Sequence, residues 1–418
     1  MTTLNEVQRS SQQSSYIGLA PLMRRAFAGE DLKPLANSLI ARAQQYPDDA
    51  NAMLDLSTVL LLLGHAELAA STQMEALKKQ PLYSVPAAHP AKIKLLALLT
   101  DGDLMANTPV DFLVEDSDID LDLLYVGQGI PALDQLPDHD VMFVAIGEAD
   151  AKHTLLLDLQ EIVSQWPRPV INQPERIAHL GRDRAYLQLQ AARGVEMPMS
   201  RRISRQMLEQ LGRGELAISD LLPGDDFPII VRPLDSHAGH GLEKLISPTE
   251  IAAYLQEIQS DEFYIARFVD YRSADGQFRK YRVMLIDGKP YIAHMGISQH
   301  WMIHYLNAGM AESAEKRAEE QRFMASFDTE FVPRHKQALQ EIYDKLGLDY
   351  VGIDCGETPD GKLLIFEVDS DMIVHAMDPV EMFPYKQATM KKLFAAFRDL
   401  LIKRASATAL SVQPSGDA

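Results

Sequence analysis

Apolar residues in the first part of the chain recur at helical spacing. Between about residues 17 and 80 they fall three or four positions apart, as at Met53, Leu56, Leu60 and Leu63. Gly64 and Pro81 follow such runs and are typical of helix ends. The pattern therefore predicts an α-helical arm over residues 1–88, which joins the next part through a linker at 86–90.

The pattern changes after residue 93, where short apolar runs replace the helical spacing. These runs are Val110–Val114 and residues 121–126, 141–146 and 169–171. A helical stretch at 151–165 separates the last two runs. Strands that alternate with helices indicate a parallel sheet, so residues 89–171 are predicted to form a small α/β domain.

Near the end of the chain, two strand-like runs at 350–355 and 362–368 flank a turn of Pro359, Asp360 and Gly361. This pattern predicts a β-hairpin.

The predicted hairpin carries three acids whose side chains share one face. Glu367 and Asp369 are two residues apart on one strand, and the hairpin returns the chain past Asp354. Carboxylates at close range raise each other's pKa, so a cation would stabilise the group. Mg²⁺ prefers such oxygen ligands. The alternative is a solvated hairpin with surface acids.

A second candidate lies at residues 235–241, directly after an apolar run at 227–232. Gly239 and Gly241 would allow the backbone to approach an anion closely, and Arg232 would add a fixed charge. The spacing does not match a Walker loop. His237 and His240 fit polar loop residues better than phosphate ligands.

Composition limits the classes of function. The chain has 418 residues, is 46% hydrophobic and carries a net charge of −19. This charge argues against general binding of nucleic acid or anionic membranes. The only cysteine is Cys355, interpreted as a buried filler rather than a catalytic thiol. We see no signal-peptide pattern and expect a cytoplasmic protein.

A histidine-rich segment follows the strand that carries Arg282. It contains His294, His300, Trp301, His304 and Tyr305. On a helix, His300 and His304 would share a face and could bind zinc, although the HExxH pattern is absent. We prefer a wall of a substrate pocket, together with His375. A structural role is the alternative.

Part of the helical arm resembles a tetratricopeptide repeat. Pro47 and Pro81 are 34 residues apart, the period of that repeat, and Ala69 and Ala76 occupy positions that it fills with small residues. The resemblance implies a surface for a protein partner or for a homodimer. A helical packing arm is the alternative.

Four segments, in this order, resemble the ATP-grasp superfamily, in the branch of glutathione synthetase and RimK-like ligases. They are INQPERIAHLGRDRAYLQLQAARGVEMP, FPIIVRPLDSHAGHG, FRKYRVMLIDGKPY and LGLDYVGIDCGETPDGKLLIFEVDSD. The resemblance implies an α+β fold in which two α+β subdomains grip ATP. A lid subdomain would span 172–270 and a C-terminal subdomain 271–405, with a flexible tail at 406–418.

The resemblance also implies roles for individual residues. Mg²⁺ would be held by Asp354, Glu367 and Asp369. ATP would contact Arg184, Arg232, Ser236, His237, Gly239, His240, Gly241, Ala266, Arg267, Phe268 and Asp270. Arg282 would face an acyl phosphate, and Asn307 would lie beside the phosphates.

The chain departs from the pattern of this superfamily at several positions. Both nucleotide lysines are replaced by arginines, at 184 and 232, and a guanidinium fork is not equivalent to an ammonium point charge. Asp369 stands where the superfamily has asparagine, and Arg267 where it often has an acid.

The resemblance implies an ADP-forming ligase that joins a carboxylate to an amine, such as an amino acid or peptide. A catalytically silent ATP-binding scaffold and a small-molecule kinase are the alternatives.

Overall fold

The computed structural model describes residues 13–234, 236 and 239–411, and it has an α+β fold. The α-helices are Leu19–Phe27 (α1), Lys33–Gln45 (α2), Ala50–Leu62 (α3), Ala66–Lys79 (α4), Val110–Val114 (α5), His153–Val163 (α6), Pro174–Ile177 (α7), Arg182–Leu189 (α8), Arg205–Gly212 (α9), Ile218–Leu221 (α10), Ile251–Glu257 (α11), Ala314–Ser326 (α12), Val332–Arg334 (α13), Lys336–Leu346 (α14) and Lys386–Ser411 (α15). A π-helical segment, Phe327–Phe331, precedes α13. Within the described ranges, no helix combines the length and apolarity needed to cross a membrane.

The strands form three sheets. They are Leu82–Val85 (β1), Ile93–Leu99 (β2), Ile119–Tyr125 (β3), Val141–Val144 (β4), Val170–Ile171 (β5), Val195–Glu196 (β6), Arg201–Ser204 (β7), Ile229–Pro233 (β8), Glu243–Leu245 (β9), Glu262–Arg267 (β10), Phe278–Ile286 (β11), Lys289–Ser298 (β12), Tyr350–Glu357 (β13) and Leu363–Asp369 (β14). The sheet orders are β1-β3-β2-β4-β5, β7-β10-β8-β9 and β12-β11-β13-β14-β6.

The predicted arm is helical, and α1 to α4 pack around a small apolar core that includes Leu22, Leu39 and Leu56. Asp49 begins α3 as an N-cap whose carboxylate accepts a hydrogen bond from the backbone N–H of Ala52. The match of this arm to tetratricopeptide repeats stays a prediction.

Asp55 connects the segment before α1 to the arm through hydrogen bonds. It is buried in α3 and accepts hydrogen bonds from the backbone N–H groups of Ile17 and Gly18 at 2.9 and 3.1 Å. Burial raises the pKa of Asp55 from 3.8 to about 7, against these hydrogen bonds, which lower it. The folded protein therefore retains a proton that the unfolded chain releases.

This shift predicts a pH dependence of stability. Because the folded pKa is the higher one, the contribution of Asp55 is complete below about pH 4 and is lost as the pH rises to about 7. Its slope is about 1.4 kcal/mol per pH unit. Urea unfolding across this range should show the slope in the wild type and its loss in Asp55→Asn. The exposed Asp48→Asn is the matched control, and an identical slope in all three proteins would contradict the prediction.

The α/β domain contains the parallel sheet that the sequence predicts, since β2 pairs in parallel with β3 and β4, and β4 with β5. β1 adds an antiparallel edge strand, although its residues lie inside the predicted arm, 1–88. The run Val110–Val114 was predicted as a strand and is the helix α5. A short, fully buried apolar run fits either structure, so its periodicity does not decide between them.

The two remaining sheets correspond to the predicted lid and C-terminal subdomains, with one exchange. β6 belongs to the segment assigned to the lid, yet it pairs in parallel with β14 of the C-terminal sheet. Two α+β units therefore follow an α/β domain and a helical arm, which is the arrangement that the resemblance implies.

The C-terminal helix α15 joins the α/β domain to the C-terminal sheet. Phe397 of this helix makes edge-to-face contacts with Phe143 of β4 and Tyr350 of β13, at ring-centroid distances of 5.6 and 5.4 Å. All three side chains are buried. This shared core fixes the α/β domain against the sheet that carries the candidate site.

Candidate functional site

A cavity of about 300 Å³ lies between the lid sheet and the C-terminal sheet. Its walls come from β8 and β10 on one side and from β11, β13 and β14 on the other, with the segment 301–304 at one end. One part of the wall is apolar, with Met197, Ile230 and Phe268. The other part is charged.

The predicted hairpin forms this charged wall. β13 and β14 are antiparallel, with Asp354 opposite Glu367 and Gly352 opposite Asp369. All three acids line the cavity, as the alternation of side chains along the strands predicts.

Asp354 is paired with two basic residues of β11. Arg282 lies directly opposite it and donates two hydrogen bonds to its carboxylate, at 2.8 and 2.9 Å. The Nζ of Lys280 lies 2.6 Å from its Oδ2. Burial alone would raise the pKa of Asp354, but the charges of Arg282 and Lys280 outweigh it and hold the pKa below its usual range.

Glu367 is paired with Arg182, which also donates a hydrogen bond of 2.6 Å to the backbone carbonyl of Phe366. Burial raises the pKa of Glu367, while the charges of Arg182, Arg232 and Lys280 lower it further than burial raises it. Both acids are therefore held as carboxylates by protein cations.

This pairing bears on the predicted Mg²⁺ site. Both oxygens of Asp354 contact Arg282 or Lys280, and an oxygen of Glu367 contacts Arg182. Among the residues that the structure describes, no group of three or more His, Cys, Asp and Glu side chains is arranged to hold a metal. The three carboxylates share a wall, and basic side chains of other elements neutralise Asp354 and Glu367 there. The Mg²⁺ site stays a prediction.

The glycine loop is described only in part. His237 lies outside the described residues, as do Asp235 and Ala238. Ser236 accepts hydrogen bonds from Arg232 through its backbone carbonyl and, at 3.2 Å, through its hydroxyl.

Gly239 lines the cavity with φ +78°. Gly241, with φ +64°, packs instead against Pro233, and His240 is exposed.

The two arginines of the sequence Arg182-Asp183-Arg184 have different surroundings. Arg184, the predicted phosphate residue, donates to the backbone carbonyl of Ala178 at 3.1 Å and lies 3.5 Å from Glu148. Arg182 lines the cavity in its place, beside Arg232. Burial lowers the pKa of Arg232, and the charge of Arg182 acts in the same direction, so a nearby anion would stabilise both.

The predicted adenine-binding segment, Ala266, Arg267 and Phe268, lines the cavity. Lys244 lies over the Phe268 ring, 3.7 Å from its centroid. Arg267 pairs with Glu196 of β6, and Asp225 lies 3.5 Å away. These carboxylates compensate the charge that distinguishes Arg267 from the acid common in the superfamily.

Two predicted positions lie away from the cavity lining. The carboxylate of Asp270 pairs with Arg272. The side-chain oxygen of Asn307 accepts a hydrogen bond from the backbone N–H of His304 at 3.1 Å and so caps the start of the short helical turn Tyr305–Asn307. No described contact brings either residue to the charged wall.

The histidines do not form the helical pair that a zinc site would require, since residues 300–304 are not helical. Trp301 and His304 line the cavity, as the pocket-wall interpretation expects. His294 is half-buried with its ring against that of Tyr305, and burial lowers its pKa well below the usual value. His375 contacts the rings of Phe27 and Phe112 instead.

Sequence reasoning missed Lys280, Arg182 and a contact between domains. The buried Asp371 lies against Gly147 of the α/β domain, where a Cβ would be 1.8 Å from its Oδ2. Lys280 could have been identified from its position two residues before Arg282, since residues two apart on a strand lie on the same face.

No protein-family model and no curated protein matches the sequence. Several solved structures are similar in fold. The VanG D-Ala:D-Ser ligase from Enterococcus faecalis is 15% identical, with 75% of this chain and 99% of that chain covered and a TM-score of 0.45. The D-alanine-D-alanine ligase from Coxiella burnetii is 12% identical, with 77% of this chain and 98% of that chain covered and a TM-score of 0.47. A RimK domain protein ATP-grasp from Sphaerobacter thermophilus is 15% identical, with 74% of this chain and 99% of that chain covered and a TM-score of 0.39. At scores and identities this low, the function has to be inferred from the cavity itself.

Proposed function

We propose that the chain is an ATP-dependent ligase that joins a carboxylate to an amine and releases ADP and phosphate. The observation that carries this proposal is one cavity in which an apolar slot adjoins a cluster of four basic side chains. These are Arg182, Arg232, Lys280 and Arg282. A nucleoside triphosphate has the same division into an apolar base and a polyanionic tail.

In this proposal, the apolar and the charged parts of the wall bind different parts of ATP. The segment 266–268 and the side chains of Met197 and Ile230 bind the adenine. Arg182 and Arg232 bind phosphate oxygens with guanidinium forks, which suit such oxygens well. Arg282, fixed by Asp354, faces the acyl phosphate. Because phosphoryl transfer depends on positioning and charge neutralisation, fixed cations in a sheltered cavity suit it.

The test is ADP release from the purified chain. ATP is supplied with a panel of amino acids and peptides, each carboxylate with each amine, in the presence of Mg²⁺. We expect ADP and phosphate to form only when both partners are present, together with a new amide. ADP formation without an amide, but with a phosphorylated product, would indicate a kinase instead.

A silent ATP-binding scaffold is the second candidate, and the pairing of Asp354 and Glu367 with protein cations favours it. A scaffold would bind ATP and form no ADP with any pair of the panel. ATP binding measured on the same preparation separates this outcome from failure to bind nucleotide at all.

A further inference from the structure

Lys280 is paired with Asp354, one of the three acids that the hairpin would offer to a cation. Its Nζ lies 2.6 Å from Asp354 Oδ2, and its charge also acts on Glu367, the residue opposite Asp354 on β14. Asp354 is only 1% exposed and Lys280 is 17% exposed. Both residues line the cavity, and the ammonium group is the more exposed of the two.

The strand β11 fixes this position. Lys280 and Arg282 are two residues apart, so both side chains stand on the same face of the sheet as Asp354. The residue opposite Lys280 on β12 is Gly296, where a Cβ would lie 2.8 Å from Ile303, so the segment 301–304 packs over this part of the sheet. Lys280 is therefore built into the charged wall.

The charged side chains around the cavity favour an anion even when no divalent cation is bound. On the charged wall, the four basic residues of the cluster exceed the three acids by one. Arg267 also lines the cavity, but Glu196 and Asp225 compensate its charge. A divalent ion bound to Asp354 would lie against Lys280 and Arg282, which already contact both carboxylate oxygens, and positive charges at this range repel each other.

We propose that Lys280 is a phosphate-binding residue that replaces a divalent cation at Asp354, so that nucleotide binds without Mg²⁺. This inference rests on the proposed binding of ATP. The ammonium group keeps Asp354 neutralised and presents its remaining N–H donors to the phosphates. Any Mg²⁺ that arrives with ATP then adds little to affinity.

The experiment measures ATP affinity by calorimetry in EDTA and in Mg²⁺. Wild type is compared with Lys280→Met and with Lys280→Arg, which keeps the charge. Lys289→Met, at an exposed position on the neighbouring strand β12, is the matched control. Lys280→Gln is the second neutral variant if the methionine variant does not fold.

We expect wild type, Lys280→Arg and Lys289→Met to bind ATP in EDTA nearly as well as in Mg²⁺. The neutral variants should lose about tenfold or more in EDTA, the value of one charge-assisted hydrogen bond, and should regain affinity in Mg²⁺. Wild-type binding that requires Mg²⁺ would overturn the role of Lys280. Absence of ATP binding under every condition would overturn the proposed function as well.

Discussion

Replacement of Arg282 by methionine is expected to lower the free energy of unfolding by about 3–5 kcal/mol, because it removes two charge-assisted hydrogen bonds and leaves the buried Asp354 with Lys280 as its cation. Both hydrogen bonds of that pair are shorter than 3 Å, at 2.8 and 2.9 Å. Product formation should be lost as well, since this guanidinium faces the proposed acyl phosphate. Urea unfolding and ADP release measure the two effects.

Two further variants separate the effects of Arg282→Met. Arg282→Lys keeps the charge but loses the fork, so it should recover part of the stability and little of the activity. The double variant Arg282→Met/Asp354→Leu removes the buried carboxylate but leaves Lys280 without its partner, so it should regain part of the lost stability and none of the activity. A stable and fully active Arg282→Met protein would contradict both assignments.

Replacement of Lys386 by methionine is expected to have a comparable effect, about 3–5 kcal/mol, through a buried ion pair. Lys386 lies 3.6 Å from Glu320, and the two side chains are 3% and 0% exposed. Glu320 in turn accepts hydrogen bonds from the backbone N–H of Met295 at 3.0 Å and from the hydroxyl of Tyr385 at 2.6 Å. Methionine would remove the cation that Glu320 shares with Asp378 and would leave both acids without it, although burial already raises the pKa of Glu320.

This ion pair also holds a wall of the cavity. Lys386 contacts the hydroxyl of Tyr305 and lies over its ring, and residues 301–304 directly before it line the cavity. Lys386→Met should therefore weaken ATP binding as well as stability. Lys391→Met, at an exposed position of the same helix, is the control. Loss of stability with unchanged ATP affinity would show that the pair does not position this wall.

The parts of the site that lie in continuous segments could be predicted from sequence. The hairpin with Asp354 and Glu367 follows from two strand-like runs and a turn, and the three acids share a wall because side chains alternate along strands. Gly239 and Arg232 follow from a glycine loop after an apolar strand, and the structure places both at the cavity.

The partners of these residues could not be predicted in the same way. Arg282 and Lys280 reach Asp354 only because β11 lies beside β13, and Arg282 is 72 residues away along the chain. Local periodicity does not contain the order and register of strands that are distant in sequence. The acids suggested a Mg²⁺ site, which stays a prediction, and only the fold shows that Arg282 and Lys280 pair with Asp354.

The arginines of α8 show a second limit of prediction from the sequence. Residues two apart on a helix point to different sides, so only one of Arg182 and Arg184 could face the cavity. Sequence alone did not show which of these sides faces β14. The structure assigns that place to Arg182 through its contacts with Phe366 and Glu367.

The most direct test of the central claim is equilibrium binding of ATP and of AMP to wild type and to Arg232→Met. The cavity predicts that wild type binds ATP more tightly than AMP, because the basic cluster meets the terminal phosphates. Arg232→Met should lose about tenfold in ATP affinity, from the loss of a charge-assisted hydrogen bond, and little in AMP affinity. Equal affinity of both proteins for ATP, or no binding of ATP by wild type, would contradict the account.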